Sequence, residues 1–151
     1  MAIDAGTGSV RAVIFDTNGN QISMGQREWT HLEEEGVPNS MSFDWNKNWQ
    51  LTVDCIDEAL KSKNIDPKDI LSVSSTSMRE GIVLYDYNMQ EIFAVANVDA
   101  RASKEVTYLK EEFPGIEEEF YALSGQTFAL GALPRLMWLK NNKRDLYNQV
   151  S

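Results

Sequence analysis

The sequence predicts an α/β domain on a mixed sheet, and three observations carry that prediction. Residues 2–27 fall into three short runs of strand-like alternation, broken by Gly6-Thr7-Gly8-Ser9 and by Asp16-Thr17-Asn18-Gly19-Asn20, which is the pattern of an antiparallel meander. A helical periodicity over residues 45–63 then leads into the apolar run Ile70–Thr76. A strand reached through a helix is expected to lie parallel to the first, by a right-handed crossover. From Ala102 onward the pattern is helical.

Taken in order, Ile3-Asp4-Ala5 ends the first strand, Val10–Asp16 forms the second and Gln21–Arg27 the third. His31–Ser42 is a polar loop carrying Gly36 and Pro38. Asp44 suits the N-cap of the next helix, whose apolar face is expected to be Trp49, Val53, Ile56 and Leu60, flanked by Leu51 and Cys55. Pro67 suits a helix or turn start in the connector Asn64–Asp69, and Ile70–Thr76 reads as a buried strand. Gly81–Asp86 and Ile92–Val95 are two further sheet strands around the turn at Asp86-Tyr87-Asn88. Helices are expected near 103–112, 116–122 and 130–141, with a last turn over 143–149. No repeat or linker divides residues 1–151, which read as a single domain. A ribonuclease H-like, actin-like fold accounts for this order: a mixed central sheet opening with a three-stranded antiparallel meander and flanked by helices. A dinucleotide-binding fold does not, because its glycine-rich turn opens a helix and this one opens a strand.

The net charge of −9 argues against nucleic acid or an anionic membrane as partner, since both need a basic face. Glu33-Glu34-Glu35 and Glu117-Glu118-Glu119 read as solvated surface. One cysteine, Cys55, allows no intrachain disulfide and suits the cytoplasm. One histidine, His31, leaves little material for a zinc site or a Ser-His pair. No segment is long and apolar enough to span a bilayer. The opening residues enter a strand at once, so no secretory leader is expected and the start reads as trimmed.

Three stretches carry chemistry. At the first bend, two glycines permit close approach of a ligand, and the hydroxyls of Thr7 and Ser9 with the turn amides can converge on one anion. Asp4 stands where a hydrated divalent cation would sit if that anion were a phosphate chain, and Arg11 adds a forked positive charge. In Ser75–Gly81, Arg79 and Glu80 offer a donor fork beside a bidentate acceptor, which suits the adjacent hydroxyls of a polyol. In Ala96–Arg101, Asn97 and Asp99 are further polar groups at strand ends; Asp99 serves equally well as a helix N-cap, and Arg101 reads as a structural ion pair or a packed guanidinium.

These stretches, with Phe43-Asp44 before Trp49 and with Ser124-Gly125-Gln126-Thr127 before Pro134-Arg135-Leu136-Met137-Trp138-Leu139, resemble in order the N-terminal part of an FGGY-family carbohydrate kinase over essentially the whole chain. The wording of Ser77–Gly81 and Asn97–Arg101 is similar to members that transfer the γ-phosphate of ATP to autoinducer-2, the linear dihydroxypentanedione. Many relatives carry a tryptophan near Asn97-Val98 that covers the sugar; its absence here fits a different, smaller ligand and speaks against a simple glycerol or xylulose reading. The resemblance implies ATP and Mg²⁺ as cofactors, with Asp4 holding the metal through water and Thr7, Gly8 and Ser9 forming the phosphate hairpin. It also implies that Arg11 contacts the transferring phosphoryl group and that Arg79 and Glu80 bind substrate hydroxyls, with Asn97 and Asp99 beside them. The catalytic base is implied to lie in a further part of the kinase chain, a partner without which this one is expected to be inactive. An actin-like sensor or assembly module is the alternative, and the Arg79-Glu80 pair speaks against it. The Leu133, Leu136, Met137 and Trp138 stripe is ordinarily core; where left open, it is expected to promote homodimers at high concentration.

Overall fold

The structure is a computed structural model that describes residues 1–151. Its elements divide between two compact units, Met1–His31 with Asp44–Arg79, and Leu32–Phe43 with Glu80–Ser151.

In the first unit, β1 (Ala2–Ala5), β2 (Ser9–Phe15) and β3 (Gln21–Glu28) form the expected antiparallel meander, and β4 (Ser74–Ser77) lies parallel to β1. The sheet order is β3-β2-β1-β4. The turn after β2 is tied by Asp16, whose carboxylate accepts from the amides of Asn18 and Asn20 and from the Asn20 side chain. These bonds, the Asn20 side chain first, hold the Asp16 carboxyl below its ordinary range. Helix α1 (Trp45–Lys61) is capped by Asp44, whose side chain accepts from the Lys47 amide at 3.0 Å.

The buried face of α1 is Asn48, Thr52, Cys55 and Ala59, not the expected stripe: Trp49 is 68% exposed and Val53 also lies open. Close approach decides this rotation. Val10, Ala12 and Ile14 are buried on alternate positions of β2, and a Cβ built on Gly25 of β3 would stand 2.2 Å from the Cys55 carbonyl oxygen. Only small side chains fit where the helix lies this near the sheet, so Trp49 and Val53 turn outward while Leu51, Ile56 and Leu60 are half-buried at its edges. Ile70–Thr76 is not the buried strand expected either. Pro67–Asp69 form a 3-10 turn, pairing starts only at Ser74, the strand Ser74–Ser77 is exposed rather than buried, and Leu71 in the segment before it is 84% exposed.

In the second unit, β5 (Ile82–Tyr85) and β6 (Glu91–Val95) pair antiparallel as a two-stranded sheet of their own. They are not strands of the central sheet, as the sequence suggested; apolar alternation reports that a strand has a buried side but not which sheet it joins. The extended segment 41–43 lies alongside β6, with the Phe43 amide donating to the Ala94 carbonyl and the Ala96 amide to that of Met41. Then follow α2 (Ser103–Glu112), α3 (Ile116–Ser124), a 3-10 turn at Phe128–Leu130, α4 (Ala132–Asn142) and α5 (Arg144–Tyr147). Gly125 ends α3 in the left-handed conformation that favours glycine, its amide donating to the Tyr121 carbonyl at 2.8 Å. The core here is Phe93, Val95, Ala102, Trp138 and Leu139. Of the α4 stripe, Trp138 is buried, Leu136 and Met137 are half-buried and Leu133 is exposed. No helix is long and apolar enough to cross a membrane.

Candidate functional site

The bend between β1 and β2 is held from one side. The Thr7 carbonyl accepts from Trp29 Nε1 at 3.0 Å and lies 2.8 Å from His31 Nε2, and the Gly8 carbonyl accepts from the Trp29 amide at 3.1 Å. Every peptide bond is trans, so the Gly8 amide points opposite to the Thr7 carbonyl, away from Trp29 and His31. The bend therefore turns a donor outward. Neither Gly6 nor Gly8 adopts a positive φ, and a Cβ on Gly8 would meet nothing within 4 Å. Conformation and packing do not require glycine at position 8; close approach of an atom from outside the chain would.

On β1 and β2, Asp4 and Arg11 are directly opposite each other in register, so their side chains share a face of the sheet. Arg11 Nε donates to Asp4 Oδ2 at 2.9 Å, and both side chains remain well exposed. Thr76 of β4 is in register with Asp4 on its other side, and Gln26 of β3 with Arg11. A polar row thus crosses all four strands on the face opposite α1. No group of three or more His, Cys, Asp or Glu side chains gathers to hold a metal ion directly. The half-exposed Asp4 carboxylate, already paired with Arg11, fits a hydrated Mg²⁺ held through its waters.

Arg79 is the last residue of the first unit and is exposed; Glu80 begins the longer of the second unit's two segments and is half-buried. Glu80 has φ 61°, a left-handed conformation uncommon for a residue with a Cβ. Asp99 does not cap α2: the N-cap is Ala102, which makes no side-chain bond to the helix. The Asp99 side chain is wholly buried and accepts from Arg101 Nε at 3.0 and 2.9 Å and from the Met41 amide at 2.6 Å. It thus has no surface to offer a ligand, whereas Asn97, two residues earlier, is half-buried. Arg101 is both things expected of it. It pairs with Asp99 and with Glu34 (3.0 Å), donates to Ser42 Oγ (2.9 Å), and stacks over Phe93 and Trp138 with centroid distances of 5.1 and 4.9 Å. Burial pushes the Glu34 carboxyl up, but Lys143 at 2.6 Å and Arg101 pull it down further, so it ends below the ordinary carboxylate value.

Three participants escaped the sequence reading. Trp29 and His31 hold the bend, and nothing in the composition around them signals it. Arg135 is 1% exposed and donates to the Glu80, Asn97 and Asp99 carbonyls, while burial lowers its guanidinium pKa. Its signal was present: it sits three and four residues before Trp138 and Leu139, on the helix face that proves most buried.

An antiparallel meander on a mixed sheet with a parallel fourth strand is the opening of an actin-like ATPase fold. The chain belongs to the FGGY family of carbohydrate kinases: the model of that family's N-terminal domain matches residues 1–151. It is 57% identical over 152 residues to an autoinducer-2 kinase of Enterobacter sp. (strain 638), covering 100% of this chain and 29% of that protein. Against an autoinducer-2 kinase of Yersinia enterocolitica it is 58% identical over 151 residues, covering 99% and 28%. A solved xylulose kinase from Rhodospirillum rubrum matches with a TM-score of 0.82 at 20% identity, over 98% of this chain and 30% of that one, a likeness in fold. The chain spans less than a third of the length of the curated relatives it matches.

Proposed function

We propose that this chain supplies the phosphate hairpin and part of the substrate site of an ATP-dependent kinase acting in the cytoplasm, which phosphorylates a hydroxyl of autoinducer-2. The observation that carries it is Gly8, a glycine that neither its φ nor its packing calls for and that leaves room for a phosphate oxygen to approach the amide. Mg²⁺ would enter with the nucleotide and neutralise phosphate charge, held through water by Asp4. Arg11 would hold the transferring phosphoryl group, its contact with Asp4 keeping the fork in place until nucleotide arrives. Thr7 and Ser9 would add hydroxyl donors along the bend, while Arg79, Glu80 and Asn97 would take the substrate hydroxyls. Asp99, buried against Arg101 and the Met41 amide, would act only through the packing of its own unit.

Phosphoryl transfer also needs a base and an enclosure that excludes water. Those are assigned to the rest of a kinase of the relatives' length, so the isolated 151-residue chain is expected to turn over no ATP. The substrate is supported by the identity to autoinducer-2 kinases over the whole chain. A full-length kinase carrying this domain, offered dihydroxypentanedione, glycerol, xylulose and gluconate in a coupled ADP assay, is expected to prefer the first. Preference for any of the other three would overturn the substrate and leave the family untouched.

A further inference from the structure

Three carbonyls from two segments remote in sequence converge on one guanidinium in the second unit. Arg135 Nη1 donates to the Glu80 carbonyl, and Nη2 donates to the carbonyls of Asn97 and Asp99, each at 2.9 Å. An arginine kept in the core as a plain ion pair would face a carboxylate squarely. Arg135 does not: its Nε stands 4.0 Å from Asp99 Oδ1 and has no hydrogen-bond partner. Its fork is spent on main chain, and a planar fork can satisfy carbonyls in different directions where an ammonium cannot. The carbonyl it takes from Glu80 belongs to a residue with φ 61°, a conformation that persists only where the surroundings impose it. The Glu80 carboxylate lies beside the turn leading into α4, since a Cβ on Gly131 would be 3.9 Å from its Oε2.

We propose that Arg135 is a positioning residue of the substrate site, tying the backbones of Glu80 and Asn97 to α4 and so setting the spacing at which their side chains meet neighbouring hydroxyls of a polyol. This rests on the assignment of Glu80 and Asn97 as polyol ligands. Arg135 touches no substrate itself. Its loss is therefore felt as a substrate that binds less well, while the nucleotide hairpin, built from other residues, is unaffected.

The test compares Arg135→Lys, Arg135→Met, Glu80→Gln and Leu139→Ala in a full-length kinase carrying this domain, with KM for dihydroxypentanedione, KM for ATP and Tm measured for each. Both Arg135 variants are expected to raise the polyol KM about tenfold or more and to leave the ATP KM within about twofold. Leu139→Ala, which opens the same core without touching a carbonyl, is expected to lower Tm and to keep the ratio of the two KM values. Should Arg135→Met fail to fold, Arg135→Lys decides, because it keeps a buried cation but reaches fewer carbonyls. A polyol KM unchanged in Arg135→Lys, or two KM values rising in parallel, would overturn the positioning role. If Glu80→Gln raises the polyol KM while the Arg135 variants do not, only that role falls; if Glu80→Gln is silent, the ligand assignment falls and the proposal with it.

Discussion

Replacing Gly25 by alanine is expected to destabilise the chain by about 3 kcal/mol or more, the upper range for overpacking a dense core. The added Cβ would stand 2.2 Å from the Cys55 carbonyl oxygen and 2.9 Å from its carbon. Both are backbone atoms, so no side chain can swing aside and β3 must part from α1. Parting them strips contact from Val10, Ala12 and Ala59, all wholly buried, and breaks the Cys55 Sγ contact with the Val10 carbonyl at 3.5 Å. A loss of that size is a large fraction of what an ordinary domain has. Urea unfolding followed by circular dichroism measures it, and a midpoint indistinguishable from wild type would show that the helix does not lie against Gly25. Gly8→Ala, where nothing lies within 4 Å, is the matched control and is expected to leave the midpoint in place.

Asp99→Ala is expected to cost about 3–5 kcal/mol, the range for removing one partner of a buried ion pair. The residue is 1% exposed, and its carboxylate is what makes the Arg101 cation tolerable in the core. Its removal also orphans the Met41 amide. Asp99→Asn keeps the shape and an acceptor for that amide, so it is expected to cost less than alanine but more than a surface change. Equal stability of all three proteins would contradict the buried cluster. The cluster is acid-sensitive as well. Glu34 has its carboxyl held below the ordinary value, so its contribution is present above that value and disappears as pH falls through the lower, folded one.

The meander was legible because its bends are written in residues with one main use: Asn18-Gly19 before β3, and the Gly6–Ser9 run before β2. Asp44 as N-cap was legible for the same reason, a local chemical signal, and α2 over 103–112 was legible from its helical periodicity. What the sequence hid is non-local. The face of α1 is chosen by how closely Gly25 lets the helix approach, and periodicity alone favoured the larger Trp49 and Val53. The separate pairing of β5 with β6 depends on which strand edge is near, which neither strand encodes. At the candidate site, Asp4, Gly8 and Arg11 stand out by residue type and spacing, and their role there remains the proposal. Asp99 could not be assigned, because a carboxylate before a helix looks the same whether it caps the helix, meets a ligand or, as found, neutralises a buried arginine.

On the proposed function, the Gly6–Ser9 bend grips nucleotide phosphate through its outward amide. Titration of the ¹⁵N-labelled chain with Mg-ATP, read as amide chemical-shift changes, tests it most directly, with Gly8→Val as the paired variant. The expected result is shifts that saturate and centre on Gly8 and Ser9, absent in the Gly8→Val protein although its remaining spectrum is that of the folded chain. Shifts that bypass residues 6–9, or that persist undiminished in Gly8→Val, would contradict it.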